Sequence, residues 1–129
     1  MLATPNDAAP RHYTIGEMCE EFDVTARALR FYEDENLIAP VRKGSQRLYS
    51  DRDRARVAWI LRGKRVGFSL AEIGELLDLY HLGDARETQK KVTLEKCKER
   101  IDALMRQKAD IDETIEELEG YIRLLEEED

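Results

Sequence analysis

The hydrophobic and polar positions along this chain of 129 residues follow two different rhythms. Residues 13–82 carry short apolar patterns that are separated by helix caps and turns. From residue 94 to residue 125, one pattern with alternating steps of three and four continues without a break. Apolar residues at such steps lie on one face of a helix. The chain is therefore predicted to contain a small domain of short elements followed by one long amphipathic helix.

Four N-cap signals divide the first region into short helices. They are Thr14 with Glu17, Thr25, Ser50 with Asp53, and Ser69 with Glu72. A hydroxyl residue followed three positions later by an acidic residue is the spacing of a capping box. The first two helices lie within about twenty residues of each other, and Asn36 is placed to end the second in a left-handed conformation. This order predicts a helix-turn-helix.

A β-hairpin and two further helices are predicted after it. Two short extended segments, 41–43 and 47–49, flank a turn that contains Gly44. A third helix runs to about Val66 with Gly67 as its C-cap, and its predicted apolar positions are Ala55, Ala58, Trp59 and Leu61. A fourth helix, which Gly83 is expected to close, has a predicted buried stripe of Leu70, Ile73, Leu76, Leu77 and Tyr80.

The long helix carries an apolar stripe that we call the seam. All of its ten positions except Lys108 are apolar, and the ten are Leu94, Cys97, Ile101, Leu104, Lys108, Ile111, Ile115, Leu118, Ile122 and Leu125. More than four heptads of this pattern are typical of a coiled coil. One small neighbouring domain cannot bury such a stripe, so a second copy of the chain is the expected partner. Gly120 is expected to weaken the helix and to separate a short terminal element.

The charge is distributed unevenly between these regions. The whole chain has a net charge of −7, but residues 1–69 have a net charge of +2 and residues 70–129 have −9. Residues 27–65 contain 11 basic and 5 acidic residues. A locally basic surface is typical of proteins that contact phosphate groups. The overall acidity therefore does not exclude a nucleic-acid partner.

Other classes of protein are disfavoured by what the sequence lacks. The two cysteines, Cys19 and Cys97, do not form a metal-binding or disulfide pattern and are expected to be small core residues. We find no nucleophile–base set and no phosphate-binding loop, so we expect neither an enzyme nor a cofactor. No apolar run reaches the length of a membrane span. Residues 1–12 are predicted to be a disordered tail, and a cytoplasmic location is expected.

Four blocks of sequence resemble the MerR family of regulators in order and spacing. They are residues 13–17 (YTIGE), 24–33 (VTARALRFYE), 47–50 (RLYS) and 67–73 (GFSLAEI). The resemblance implies a mainly α-helical protein, with a winged helix-turn-helix domain at 13–82, an antiparallel coiled-coil dimerisation helix at 84–125 and an acidic tail at 126–129. Residues 31–35 and 61–73 are also similar to the liu-type subgroup, which regulates branched-chain amino acid and acyl-CoA catabolism.

The resemblance further implies a function. A homodimer would bind a two-fold operator in double-stranded DNA and distort the promoter spacer for RNA polymerase. The residues expected at the DNA are Thr14, Thr25, Arg27, Arg30, Phe31, Tyr32, Arg42, Lys43, Arg47, Tyr49, Lys64 and Ser69. A small-molecule effector is left open, and metal sensing is disfavoured because residues 84–88 and 126–129 hold no cysteine.

Several of these residues have a second interpretation. Arg30 could pair with Glu33 or Asp34 instead, and Tyr32 could belong to the core. The basic hairpin could be a solvated loop, and Lys64 and Ser69 could be ordinary surface residues. For the whole chain, the alternative is a coiled-coil interaction or adaptor protein with a vestigial DNA-binding domain.

Overall fold

The computed structural model describes residues 11–79 and 86–128, which belong to two compact units divided between residues 83 and 84. Within these described ranges, the first unit has three strands and four helices, and the second has one long helix. In chain order the elements are β1 (His12–Thr14), α1 (Ile15–Phe22), α2 (Ala26–Asp34), β2 (Val41–Lys43), β3 (Gln46–Ser50), α3 (Asp51–Arg65), α4 (Leu70–Asp78) and α5 (Glu87–Glu126).

All four predicted N-caps are present, and they fix where the short helices begin. The hydroxyl of Thr14 accepts a hydrogen bond from the Glu17 amide at 3.1 Å, and the boxes that open α3 and α4 are also complete. Thr25 caps α2 by accepting a hydrogen bond from the Ala28 amide at 3.0 Å. Asn36 has the predicted left-handed backbone, with φ of 62°. The helix-turn-helix prediction is therefore confirmed.

The predicted hairpin is present, but it belongs to a larger sheet. β3 pairs antiparallel with β2 on one side and with β1 on the other. The prediction of a disordered tail to residue 12 is wrong at its end, because His12 begins β1 and pairs with Ser50. β1 is held in place by Tyr13, which is buried and donates a hydrogen bond from its hydroxyl to Asp51 Oδ1 at 2.8 Å. Residues 1–10 of the predicted tail lie outside the described residues.

The hydrophobic core of the first unit lies between α1, α2, the sheet, α3 and α4. The predicted apolar face of α3 is right only in part: Trp59 and Leu61 pack half-buried against the core, but Ala55 is exposed, and the completely buried Val57 and Ile60 were not predicted. Asp53 explains which face of α3 turns inward. Its carboxylate accepts hydrogen bonds from the amides of Ala39 and Ser50, so the Asp53 side chain lies on the buried face of the helix. Residues 53, 57 and 60 then share one helix face.

The prediction for α4 is confirmed for Ile73, Leu76 and Leu77, which are buried. Leu70 is half-buried and packs against the core. Tyr80 and Gly83 lie outside the described residues. Gly67 has a φ of 95°, as a left-handed helix terminus requires, and it follows α3 as predicted.

The second unit is a single helix of 40 residues, α5. A separate terminal element after Gly120 was expected, but the helix continues without interruption to Glu126. Gly120 costs the helix only about 1 kcal/mol, and the surrounding Leu, Glu and Arg residues are good helix formers. Within residues 11–79 and 86–128, no helix is long and apolar enough to cross a membrane.

Candidate nucleic-acid interface

The exposed face of α2 carries two arginines and one aromatic ring. Arg27, Arg30 and Phe31 are all exposed, whereas Leu29 and Tyr32 on the opposite face are buried in the core. Residues three and four positions apart lie on the same side of a helix, so the three exposed side chains are neighbours. Neither arginine forms an ion pair within the described part of the chain, so Arg30 does not pair with Glu33 or Asp34. Both guanidinium groups are available to a ligand.

The N-terminus of α2 differs from those of α1, α3 and α4. The other three helices each have an acidic residue in the first turn, namely Glu17, Asp53 with Asp51, and Glu72. α2 has no acidic residue there and carries Arg27 instead. Free amide groups and the helix dipole make the start of a helix favourable for anions. Among these four helices, α2 therefore offers the least compensated site for a phosphate.

The hairpin lies beside α2 because of Glu33. Its carboxylate accepts a hydrogen bond from Arg47 Nε at 2.7 Å, and its second oxygen lies 3.7 Å from a terminal nitrogen of Arg42. The hydrogen bond from Arg47 to Glu33 raises the pKa of Arg47. Arg42 is more exposed and lies farther from the carboxylate. The ion pair thus fixes the hairpin of β2 and β3, which we call the wing, next to α2 and leaves Arg42 and Lys43 at the surface.

Lys64, near the end of α3, also approaches α2. Its ammonium nitrogen lies 5.7 Å from the centre of the Tyr32 ring, a distance that allows a cation–π interaction. The exposed cations that surround α2 therefore come from three different elements. We call them the basic face: Arg27, Arg30, Arg42, Lys43 and Lys64.

Three residues expected at the DNA have other positions. Tyr49 is completely buried, and its hydroxyl has no hydrogen-bond partner among the described residues, so the prediction of a wing contact is wrong. Tyr32 is 2% exposed and belongs to the core, as its alternative interpretation held. Arg47 is occupied by Glu33, so its role is to attach the wing. Burial raises the pKa of the Tyr49 phenol, which stays protonated near neutral pH.

Thr14 and Ser69 serve first as helix caps. Their hydroxyls accept hydrogen bonds from the amides of Glu17 and Glu72, and the acidic side chains accept hydrogen bonds from the cap amides in return. Both capping boxes place a carboxylate at the start of the helix, which opposes the approach of a phosphate. Thr25 is exposed and has no such acidic partner, so it is the hydroxyl cap best suited to the DNA.

Not every arginine in the basic segment is available to a ligand. Arg54 forms a short ion pair with Glu21, with both carboxylate oxygens 2.8 Å from Nε, and this bond lowers the pKa of Glu21. Arg56 is nearly buried and donates from Nε to the carbonyl of Leu37. Burial lowers the pKa of Arg56, which faces Asp78 at 3.8 Å. The positive charge of residues 27–65 thus overstates the number of cations that face a ligand.

Comparison with known families decides the identity of this architecture. The family described as MerR HTH family regulatory protein matches residues 13–79, and the family described as MerR, DNA binding matches residues 54–121. The chain belongs to the MerR family. The resemblance inferred from the four sequence blocks is therefore confirmed.

Individual MerR relatives agree with this assignment. The chain is 33% identical over 112 residues to the HTH-type transcriptional activator mta of Bacillus subtilis, a match covering 84% of this chain and 42% of that protein. It is 32% identical over 90 residues to the HTH-type transcriptional regulator CueR of Salmonella typhi, with 66% and 64% covered. The chain thus spans less than two thirds of either relative. A MerR-family regulator from Bacillus cereus has a similar structure, with a TM-score of 0.70, 26% identity, and 92% and 86% of the two chains covered.

The sequence pattern did not indicate the role of Glu33, which joins the wing of this MerR-family chain to α2. The only available signal was an acidic residue on the flank of a helix whose exposed face is basic. Its partner, Arg47, lies 14 residues away in the sequence. Within the described residues, no group of three or more His, Cys, Asp or Glu side chains is arranged to hold a metal ion.

Proposed function

We propose that this chain is a sequence-specific, DNA-binding transcriptional regulator that acts as a homodimer and not as an enzyme. The observation that carries the proposal is the start of α2, where Arg27 and Arg30 are exposed and unpaired beside a helix N-terminus without acidic residues. In helix-turn-helix proteins, the first turns of the second helix enter the major groove. The family membership and the names of the relatives support the same function.

The residues of the basic face would have different roles in DNA recognition. Arg27 lies in the first turn of α2, where a guanidinium can donate two hydrogen bonds to the edge of a guanine. Arg42 and Lys43 on the wing, and Lys64 near α2, suit the sugar–phosphate backbone, which fixes position without reading sequence. Phe31 has no hydroxyl and offers an apolar contact, for which the methyl group of thymine is a suitable partner.

The dimer would bind a two-fold operator within a promoter. We propose that it distorts the spacer DNA and thereby changes how RNA polymerase engages the promoter elements. The protein would work in the cytoplasm, where its DNA partner lies, and it would need no cofactor. No small-molecule effector is part of this proposal, and the likeness to the liu-type subgroup stays a prediction from sequence.

The proposal is tested by selecting bound fragments from genomic DNA with the purified chain. We expect enrichment of a sequence with two-fold symmetry. Its affinity in a mobility-shift titration should fall steeply with salt, with a slope in log affinity of roughly −5 to −9 if most of the ten basic-face cations of a dimer meet phosphates. Weak binding without any enriched sequence would favour the adaptor protein with a vestigial DNA-binding domain.

A further inference from the structure

The two arginines of the wing lie directly opposite each other. β2 and β3 pair antiparallel, and Arg42 on β2 has Arg47 on β3 as its partner in the register. Side chains that lie directly opposite on neighbouring antiparallel strands share one face of the sheet, and like charges at such positions repel each other. An anion beside these two guanidinium groups therefore stabilises the wing.

Glu33 of α2 supplies that anion from within the chain. Its Oε1 accepts a hydrogen bond from Arg47 Nε at 2.7 Å, the short distance of a charge-assisted bond. Its Oε2 lies 3.7 Å from a terminal nitrogen of Arg42. No other carboxylate of residues 11–79 and 86–128 lies within ion-pair distance of Arg42, Lys43 or Arg47. Glu33 is thus the internal counter-ion of the wing.

The two contacts of Glu33 differ in strength. The Arg47 side chain is mostly buried, like that of Glu33, and their hydrogen bond raises the pKa of Arg47. The Arg42 side chain is 58% exposed, and 3.7 Å is too long for a hydrogen bond. Exposed ion pairs of this kind are weak. A phosphate group of DNA can therefore replace Glu33 at Arg42 while the hydrogen bond to Arg47 stays in place.

We propose that Glu33 is a specificity-determining residue for DNA, which withholds Arg42 from phosphate groups in general and yields it to a backbone phosphate of the operator. The inference rests on the DNA binding of the proposed function and adds a positioning residue, because Glu33 acts through the two wing arginines. Specificity is a difference between affinities, and a lower affinity for wrong sequences raises it as surely as a new contact with the right one.

Lys43 is the natural comparison for Arg42. The two residues are neighbours on β2 and both are exposed, but Lys43 has no ion pair within the described part of the chain. The charge of Lys43 is therefore available to any duplex, whereas the charge of Arg42 is partly neutralised by Glu33. The wing would thus combine one cation for general attraction with one that is released at the operator.

Glu33→Gln tests this role because it removes the charge and keeps an oxygen that can accept the hydrogen bond from Arg47. Mobility-shift titrations of the full chain should compare the selected operator with a scrambled duplex of the same length and composition. We expect affinity for the scrambled duplex to rise about threefold to tenfold at low salt. Its salt slope should steepen by about 2, because a dimer gains two free arginines. Operator affinity should rise by less than about twofold, since Arg42 already contacts a phosphate there.

Glu35→Gln is the matched control. Glu35 directly follows α2, is exposed, and forms no ion pair with another described residue, so its replacement removes the same charge from the same end of the helix. It should change either affinity by less than about twofold. Equal gains in scrambled-duplex affinity for Glu35→Gln and Glu33→Gln would show that net charge alone is responsible and would overturn the proposal.

A second pair of variants leaves Glu33 in place and tests the same proposal if a urea titration shows that Glu33→Gln does not fold. Arg42→Ala should weaken operator binding about tenfold and change scrambled-duplex affinity by less than about twofold. Lys43→Ala should weaken binding to both duplexes by about threefold to tenfold. If Arg42→Ala lost as much affinity for the scrambled duplex as Lys43→Ala, Glu33 would not withhold Arg42, and the proposal would be wrong.

The double variant separates the counter-ion role from a merely structural one. In an Arg42→Ala background, Glu33→Gln should no longer raise scrambled-duplex affinity, because the two residues act as one unit. If Glu33 only supported the fold, Glu33→Gln would weaken binding to both duplexes, and that result would overturn the inference. An original chain without preference for the operator would refute the proposed function as well. A Glu33→Gln variant that kept the full preference of the original chain would refute this inference alone.

Discussion

The first unit and α5 differ in whether their apolar side chains are buried. Every buried hydrophobic residue among residues 11–79 and 86–128 belongs to the first unit, which has a core of its own. α5 exposes its seam along its whole length. One chain thus combines a unit that folds around its own core with a helix whose apolar surface needs a partner. Substitutions should therefore separate into those that unfold the first unit and those that dissociate the dimer.

The largest effect should come from a charge in the seam. Leu104→Glu places two carboxylates per dimer among apolar side chains, and an unpaired buried charge costs about 3–5 kcal/mol. We expect dimer affinity to fall more than 100-fold in sedimentation equilibrium. Ala109→Glu, outside the seam, is the control and should leave the dimer intact. A dimeric Leu104→Glu variant would show that the seam is not the dimer interface.

A substitution in the core of the first unit should lower the stability of that unit instead of the affinity of the dimer. Leu29 is completely buried, and Leu29→Ala should lower the free energy of unfolding by about 3 kcal/mol. The single tryptophan, Trp59 in α3, reports this unfolding by fluorescence in a urea titration. The adjacent, exposed Arg30→Ala should change stability by less than about 0.5 kcal/mol. Equal effects of the two substitutions would contradict the inward orientation of this face of α2.

Two neighbouring basic residues of the wing should behave differently. Lys43 forms no ion pair with any described residue, so Lys43→Ala should weaken DNA binding about threefold to tenfold and reduce the salt slope by about 2 in a dimer, without affecting stability. Arg47 holds Glu33, so Arg47→Ala should lower the urea midpoint of the first unit. If Arg47→Ala left that midpoint unchanged, the ion pair would not be what attaches the wing.

The smallest effect concerns acid pH. The hydrogen bond from Arg54 places the pKa of Glu21 below its ordinary value of 4.5 in the folded state. The pair therefore stabilises the fold at pH values above about 4.5 and loses this contribution as the pH falls through the folded pKa. The difference in urea midpoint between the original chain and Arg54→Gln should be constant from pH 7 to about pH 5 and shrink below pH 4.5. A difference that grows on acidification would have the wrong sign for this pair.

The features that could be predicted from the sequence are those that depend on neighbouring residues. The caps at Thr14, Thr25, Ser50 and Ser69 involve residues three positions apart, so their signals are local and they were located correctly. The helix-turn-helix and the hairpin followed from them. The seam was also readable because its repeat is periodic, although the chain alone does not contain the partner that would cover it.

The predictions that were wrong concern residues whose positions depend on contacts with distant parts of the chain. β1 forms because His12 pairs with Ser50, 38 positions away, and nothing near His12 signals a strand. Tyr49 and Arg47 were expected at the DNA because their residue types suit phosphate contacts. In the structure, Tyr49 is buried in the core and Arg47 forms an ion pair with Glu33. Composition identifies the cations of a segment, whereas the fold decides which of them remain free.

We propose that the exposed face of α2 reads DNA, and the substitution of Arg27 tests this role most directly. A mobility-shift titration on the selected operator should compare the original chain with Arg27→Ala and with Arg106→Ala, an arginine on α5 outside the seam. We expect at least a 100-fold loss of operator affinity for Arg27→Ala, less than a twofold change for Arg106→Ala, and an unchanged dimer for both. Operator affinity that survives Arg27→Ala unchanged would show that this face of α2 does not read DNA.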